Sequence, residues 1–297
     1  MSVVIVGSLN ADLFIEVDSL PAPGETVRGS DLVVRPGGKG ANQAAAAALL
    51  GAEVTLVGAV GADEHGRLLV EAADTAGVVT SRIRWLDSAT GTAMITVDDA
   101  GENTIVISPG ANARLSAAEA TRGIPETTAV VGLCLEIPAE TVAAAVVRAR
   151  EVGAAVVLNL SPYRPVALEV VAGVDVLLVN EIELEQLVGT FGELTEASSR
   201  LCDLGVRRAV VTLGGKGAAI LDTSERTSRR IASPAVEVVD TTGCGDAFAG
   251  GLIAQLAAGA DLAAAVETAV RVGAYAATGK GAQPSYPTAE QLASRLP

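Results

Sequence analysis

Apolar positions along the chain fall into short runs, and the spacing inside each run sorts them into two kinds. Continuous, β-branched runs occur in "SVVIVG", "EVTLVGAVG", "TAVVGLCL", "AAVVLNL", "VDVLLVN", "RAVVTLGG" and "GAAILDT". Unbroken apolar runs of this length predict strands covered on both faces. Between most of them the apolar residues recur every third or fourth position, which predicts helices in "GANQAAAAALLG", in "DEHGRLLVEAADTAG" and over 138–152, 181–188 and 193–205. The alternation predicts an α/β fold: a doubly wound, mainly parallel sheet with helices on both faces.

Two segments break the rhythm. "DLFIEVDSLPAPGETVRGSDLVVRPGG" and "GTAMITVDDAGENTIVISPG" alternate apolar and polar residues with no helix between their strands, the second as a hairpin around Asp98 to Gly101. They predict a small antiparallel β lid, inserted in two pieces over the carboxyl ends of the core strands, where open α/β sheets bind ligands. The expected organisation is a core of residues 1–12, 37–86 and 109–297 and a lid of residues 13–36 and 87–108.

"VDTTGCGDAFAGG" carries the first chemistry. "PAVEVVD" before it predicts a strand, and Phe248, Leu252 and Leu256 share one face of a helix that ends at Gly259. A strand, a glycine turn and a helix start direct unpaired amides and a helix dipole at one point, which suits a phosphate. Phe248 occupies the third glycine position of a dinucleotide fingerprint, and each Gly-Lys pair is followed by Gly where a P-loop has Ser or Thr.

Composition narrows the choice. The chain has 297 residues, 49% of them apolar, and 21 Lys plus Arg against 35 Asp plus Glu, for a net charge of −14. Nucleic acid is therefore an unexpected partner. No apolar run approaches the roughly 18 residues of a membrane span, and the start shows no cleavable signal, so a cytoplasmic protein without membrane contact is expected. Cys134, Cys202 and Cys244 lack metal or redox spacing, and His65 is the single histidine, placed among charged residues. Acid–base work thus falls to a carboxylate.

"GSLNAD", "PGGKGANQA", "GENTIVISPGAN", "NEIELEQL", "VVTLGGKGA", "DTTGCGDAFAGG" and "KGAQPSYPT" stand in the order and spacing of the ribokinase-like (PfkB) carbohydrate kinases. The chain resembles that family over essentially its whole length. The resemblance implies an ATP-dependent sugar kinase, most of all one that phosphorylates the primary hydroxyl of D-ribose.

By the same resemblance Asp246 is the catalytic base, and the amides of Gly243, Cys244 and Gly245 form the anion hole for the γ-phosphoryl group. Asn10 and Asp12 at the end of the first strand, Gly38, Lys39 and Asn42 opening the next helix, and Glu136 bracket the sugar hydroxyls. Asn180 and Glu183, one helical turn apart, face the phosphates and Mg²⁺, and Thr212, Gly214 and Gly217 run along ATP. Asp240 and Ser285 side chains with the carbonyls of Thr242, Ala276, Gly279 and Gly281 imply a K⁺ site. The lid strands imply a homodimer, since exposed edges on a thin sheet invite a partner. Cys244 stands where Ala is usual, Gly279 where Arg is frequent, and "LNLSPY" in place of "LNPAP". Two alternatives remain: a kinase for another furanosyl substrate (a nucleoside, fructose or a fructose phosphate), and a catalytically silent sugar-binding regulator on the same fold.

Overall fold

The computed structural model describes residues 2–296. Its strands are β1 (Ser2–Val6), β2 (Asn10–Val17), β3 (Val33–Gly37), β4 (Glu53–Gly61), β5 (Ile83–Leu86), β6 (Gly91–Asp98), β7 (Asn103–Ser108), β8 (Thr128–Leu133), β9 (Ala155–Asn159), β10 (Val176–Asn180), β11 (Arg208–Thr212), β12 (Ala218–Asp222) and β13 (Thr227–Ile231). The helices are α1 (Lys39–Leu49), α2 (Glu64–Thr75), α3 (Ala117–Gly123), α4 (Ala139–Glu151), α5 (Leu168–Ala172), α6 (Glu181–Val188), α7 (Leu194–Asp203), α8 (Cys244–Ala257), α9 (Leu262–Ala276) and α10 (Ala289–Arg295).

Nine strands form one sheet in the order β13-β12-β11-β10-β9-β8-β1-β4-β5. It is parallel from β5 to β11 and antiparallel at β12 and β13. β1 shows why its strands read as unbroken apolar runs: Val3 and Ile5 pack toward α1, α8 and α9, while Val4 and Val6 pack toward α3 and α4. The expected doubly wound core is what the chain forms.

Small residues set the spacing of the helices that carry the site. A Cβ on Gly250 of α8 would lie 2.5 Å from the Cβ of Ala46 on α1, so the two helices touch backbone to backbone. This contact brings Asn42 and Gln43 of α1 beside Asp246 of α8.

The second sheet has the order β3-β2-β6-β7. Its two outer pairings are antiparallel, as expected for a lid built of hairpins, but the central pairing of β2 with β6 is parallel. Both strands leave the same end of the large sheet, β2 just after β1 and β6 just after β5, and therefore run outward together. Asn10 and Asp12 open β2 instead of ending β1.

A further expectation fails before the glycine turn. "PAVEVVD" is not a strand: residues 232–239 join no ladder, and Val238 and Val239 are 61% and 52% exposed. β13, already the edge of the large sheet, takes the last pairing position. The segment instead crosses to the end of α9, where the Val239 amide donates to the Ala277 carbonyl at 2.8 Å.

Candidate active site

The turn from Thr241 to Gly245 places Gly243 in the left-handed region, φ 74°, as the residue before α8. A Cβ there would lie 2.5 Å from the Cβ of Ala282 and 2.6 Å from the hydroxyl of Tyr286, so both conformation and space require glycine. The Cys244 amide donates to the Thr241 carbonyl at 3.2 Å and closes the turn. Of the three amides expected in an anion hole, those of Gly243 and Gly245 are left without an acceptor among the described residues.

Asp246 follows in the first turn of α8 and is 6% exposed. Its Oδ2 accepts from the Asn42 side-chain amide at 3.0 Å and its Oδ1 from that of Gln43 at 3.1 Å. Asn42 in turn accepts from the Gln283 amide at 3.0 Å. Asn42, expected to contact sugar, thus also orients the carboxylate. Gln43 is fully buried, and its Oε1 has no partner among the described residues. It went unremarked in the sequence, where its place in "GANQA" was the only signal.

Next to this carboxylate lies a cavity of about 530 Å³ bounded by Asn10, Asp12, Lys39, Glu136, Asn180 and Asp246, with Ala93, Ile95, Ile105 and Ile107 of the small sheet as a roof. One oxygen of Glu136, Oε2, accepts from the Ser8 hydroxyl at 2.5 Å, the Lys39 amide at 3.1 Å and the Asn10 side-chain amide at 3.3 Å. Asn112 fixes Asn10 from behind: it exchanges hydrogen bonds with the Leu9 backbone at 3.0 and 2.9 Å and donates to Asn10 Oδ1 at 2.8 Å. Gly38, φ 88°, could carry no side chain, since a Cβ would meet the Asn10 amide at 2.6 Å. Burial, reinforced by Glu136 and Asp246, pushes the Asp12 carboxyl up to about 7. Burial alone would lower the Lys39 ammonium, but Asp246 and Glu136 outweigh it and hold it above its usual range.

On the other side of the turn, Asn180 and Glu183 form a reciprocal cap at the start of α6. The Glu183 amide donates to Asn180 Oδ1 at 2.8 Å, and the Asn180 amide donates to Glu183 Oε2 at 2.9 Å. Glu183 is 7% exposed, so it is no solvated helix charge, and its Oε1 stays free of protein partners among the described residues. Both residues border a cavity of about 120 Å³ shared with Lys39, Asn159, Thr212, Gly245 and Asp246. Thr212, Gly214 and Gly217 border a separate cavity of about 350 Å³, whose other walls include Val236, Val238, Phe248, Val270 and Ala274. Of those apolar walls only Phe248 lies in a motif, and nothing in the sequence distinguished them from core.

The residues expected around K⁺ also meet. Asp240 accepts from the Thr242 and Gly281 amides, each at 2.8 Å. Burial opposes these bonds, yet they and Arg35 hold the Asp240 carboxyl below its usual range. The Gly279 amide donates to the Ala276 carbonyl at 3.2 Å, and a Cβ on Gly279 would lie 2.8 Å from that of Ser285. A carboxylate, a hydroxyl and several carbonyls from the two loops before α8 and after α9 form a donor set of oxygens only, which fits a hard monovalent cation. Among the described residues no group of three or more His, Cys, Asp or Glu side chains is arranged to hold a metal unaided. A cleft of about 520 Å³ at the opposite ends of the strands, near Asp175, Arg208 and Asp222, contains none of the predicted residues, and Arg208 and Asp222 there pair with each other.

Residues 1–289 match the model of the pfkB family of carbohydrate kinases, and the chain belongs to that family. It is a phosphotransferase that acts on an alcohol group. Over 298 residues it is 34% identical to the ribokinase of Haemophilus influenzae, covering 98% of this chain and 96% of that one. It is 33% identical to the deoxyribokinase of Salmonella typhi over 300 residues, 98% of this chain and 97% of the other. The solved Arabidopsis thaliana ribokinase complexed with ribose and ATP superposes with a TM-score of 0.89 at 32% identity, over 98% of this chain and 97% of that chain. No helix among the described residues is long and apolar enough to cross a membrane.

Proposed function

We propose that the protein is an ATP-dependent ribokinase, transferring the γ-phosphoryl group of ATP to the primary hydroxyl of D-ribose. The observation that carries this reading is the placement of Asp246 between the glycine turn and the carboxylate-lined cavity, with both of its oxygens oriented by α1 amides. In this reading Asp246 takes the proton of the attacking hydroxyl, while the Gly243 and Gly245 amides stabilise charge on the transferring group. Cys244 contributes the peptide plane between them. Asn10, Asp12, Lys39, Asn42 and Glu136 bind the sugar hydroxyls, and Gly38 lets α1 approach them. A silent sugar binder would need neither the base nor the turn.

ATP lies along Thr212, Gly214 and Gly217, with its base in the apolar cavity. Asn180 and Glu183 hold Mg²⁺, which on binding neutralises phosphate charge; the free Glu183 oxygen is the feature that supports this. K⁺ is held by Asp240, Ser285 and the carbonyls of Thr242, Ala276, Gly279 and Gly281, and orders the turn without touching sugar. Replacing K⁺ by tetramethylammonium at constant ionic strength lowers the rate; equal rates would remove the ion from the scheme.

The small sheet acts as the lid of this site, and its outer face, with Met94 51% and Val106 68% exposed, supports a homodimer. Sedimentation at micromolar concentration should then exceed the 29.8 kDa of one chain. Three unpaired cysteines support a reducing, cytoplasmic setting. The deciding experiment is a coupled ADP-release assay across ribose, deoxyribose, fructose, adenosine and fructose phosphates. Ribose should give the highest kcat/KM, and a clear preference for any other acceptor would overturn the assignment.

A further inference from the structure

Tyr286, in the motif "KGAQPSYPT", has no part in the chemistry described so far. It lies under the glycine turn, 5% exposed, packed among Ala46, Ala247, Val272, Ala276 and Ala282. Its hydroxyl donates to the Gly243 carbonyl at 3.0 Å, and the same carbonyl accepts the Ala247 amide at 2.8 Å.

The Gly243 carbonyl and the Cys244 amide belong to one rigid peptide plane. That plane is held at both ends: its oxygen by Tyr286 and Ala247, its N–H by the Thr241 carbonyl. The unengaged amides of Gly243 and Gly245 lie on either side of it. Glycine tolerates both signs of φ, so without these ties the plane could rotate and carry its neighbours with it.

We propose that Tyr286 is a positioning residue for phosphoryl transfer, fixing the Gly243–Cys244 peptide plane so that the amides beside it stay aimed at the transferring group. The proposal rests on the kinase reading above. It requires the hydroxyl to matter more to the transition state than to sugar binding, because in that reading the sugar is held by side chains of α1, β2 and the Glu136 loop, while Gly243 only borders the same cavity.

Tyr286→Phe removes the donor and keeps the ring. Turnover should fall about tenfold, since small displacements of aligned groups are costly in rate. The affinity for ribose with ADP and aluminium fluoride, a mimic of the transferring phosphoryl, should fall by a similar factor, while ribose alone binds within about twofold of wild type. Tyr275→Phe is the matched control. Its hydroxyl makes no hydrogen bond among the described residues, and its ring lies 5.6 Å from the Arg295 guanidinium. It should leave all three quantities unchanged. Unchanged turnover and mimic binding in Tyr286→Phe would overturn the proposal, as would a loss of ribose binding as large as the loss of turnover. Failure of the wild-type protein to form the mimic complex would instead overturn the kinase reading, and the proposal with it.

Discussion

Both large cavities beside the glycine turn have apolar walls, but only one of them gathers charge. The one toward β2 and α1 is lined by Asp12, Lys39, Asn42, Glu136 and Asp246, and each of these acts through a charge or a directed hydrogen bond. The one toward α9 is lined by Val236, Val238, Phe248, Val270 and Ala274, with glycines at its mouth. A polyhydroxyl substrate offers paired donors and acceptors, and each unmet partner costs about 1–3 kcal/mol, so under the proposed assignment the first cavity would reject a wrong sugar sharply. The second selects by shape, where a single methylene changes affinity only modestly. Under the proposed assignment, the difference separates the cavity of chemistry and discrimination from the one that holds a common co-substrate.

The largest effect should come from the wall between the two cavities. Asp246→Asn keeps the shape and the contact with Asn42 but removes the proton acceptor, and turnover should drop by about 10²–10⁴-fold with ribose affinity changed only a few-fold. Calorimetry beside steady-state kinetics checks this, and a variant with near wild-type turnover would place the base elsewhere.

A smaller and one-sided effect is expected from Ala274→Leu, which fills the apolar cavity. The KM for ATP should rise about tenfold while that for ribose stays put, in keeping with the modest value of single methylenes in apolar pockets. A matching rise in the ribose KM would show that the two cavities are not independent.

The smallest effect concerns pH. The Asp12 carboxyl is raised from 3.8 to about 7 by burial, Glu136 and Asp246, so the folded protein without ligand favours its neutral form. The stability this confers is complete below the unfolded value and is lost as pH rises through about 7. Asp12→Asn cannot ionise and should therefore melt higher than wild type at pH 8, by roughly 3 °C per kcal/mol of relief, with the gap closing toward acid pH. Scanning calorimetry without ligand at the two ends of that range tests it. A gap independent of pH would mean that Asp12 is not held at the expected value.

The contrast between the cavities also explains what could be read from the sequence. Strands such as Val176–Asn180 were legible because burial on both faces leaves an unbroken apolar run. β13, "TSRRI", was not, since four of its five residues are exposed and only Ile231 packs inward. "PAVEVVD" has the composition of a strand, but the sheet edge beside it was already taken by β13. The parallel pairing of β2 with β6 follows from where both strands leave the core, which no local pattern records. Within the site, charged residues and turn glycines form motifs and were found. Gln43, Asn112 and Tyr286 act on other protein groups, so their partners appear only once the chain is folded. The walls of the apolar cavity use the same residues as the core.

Side-chain hydrogen bonds tie the small sheet to the core at two strand starts. β2 is tied at its first residue through Asn10 and Asn112. β6 is tied just before its start, where Thr90 gives its amide and its hydroxyl to Asp63 at 2.8 and 2.6 Å. Both ties lie at the edge nearest the large sheet, so that edge is fixed in place on the core. Among the described residues the small sheet's far rim, residues 19–28 and 99–102, is hydrogen-bonded only locally. Length added at that rim leaves the tied edge untouched, which makes the rim the place to splice in a fluorescent reporter.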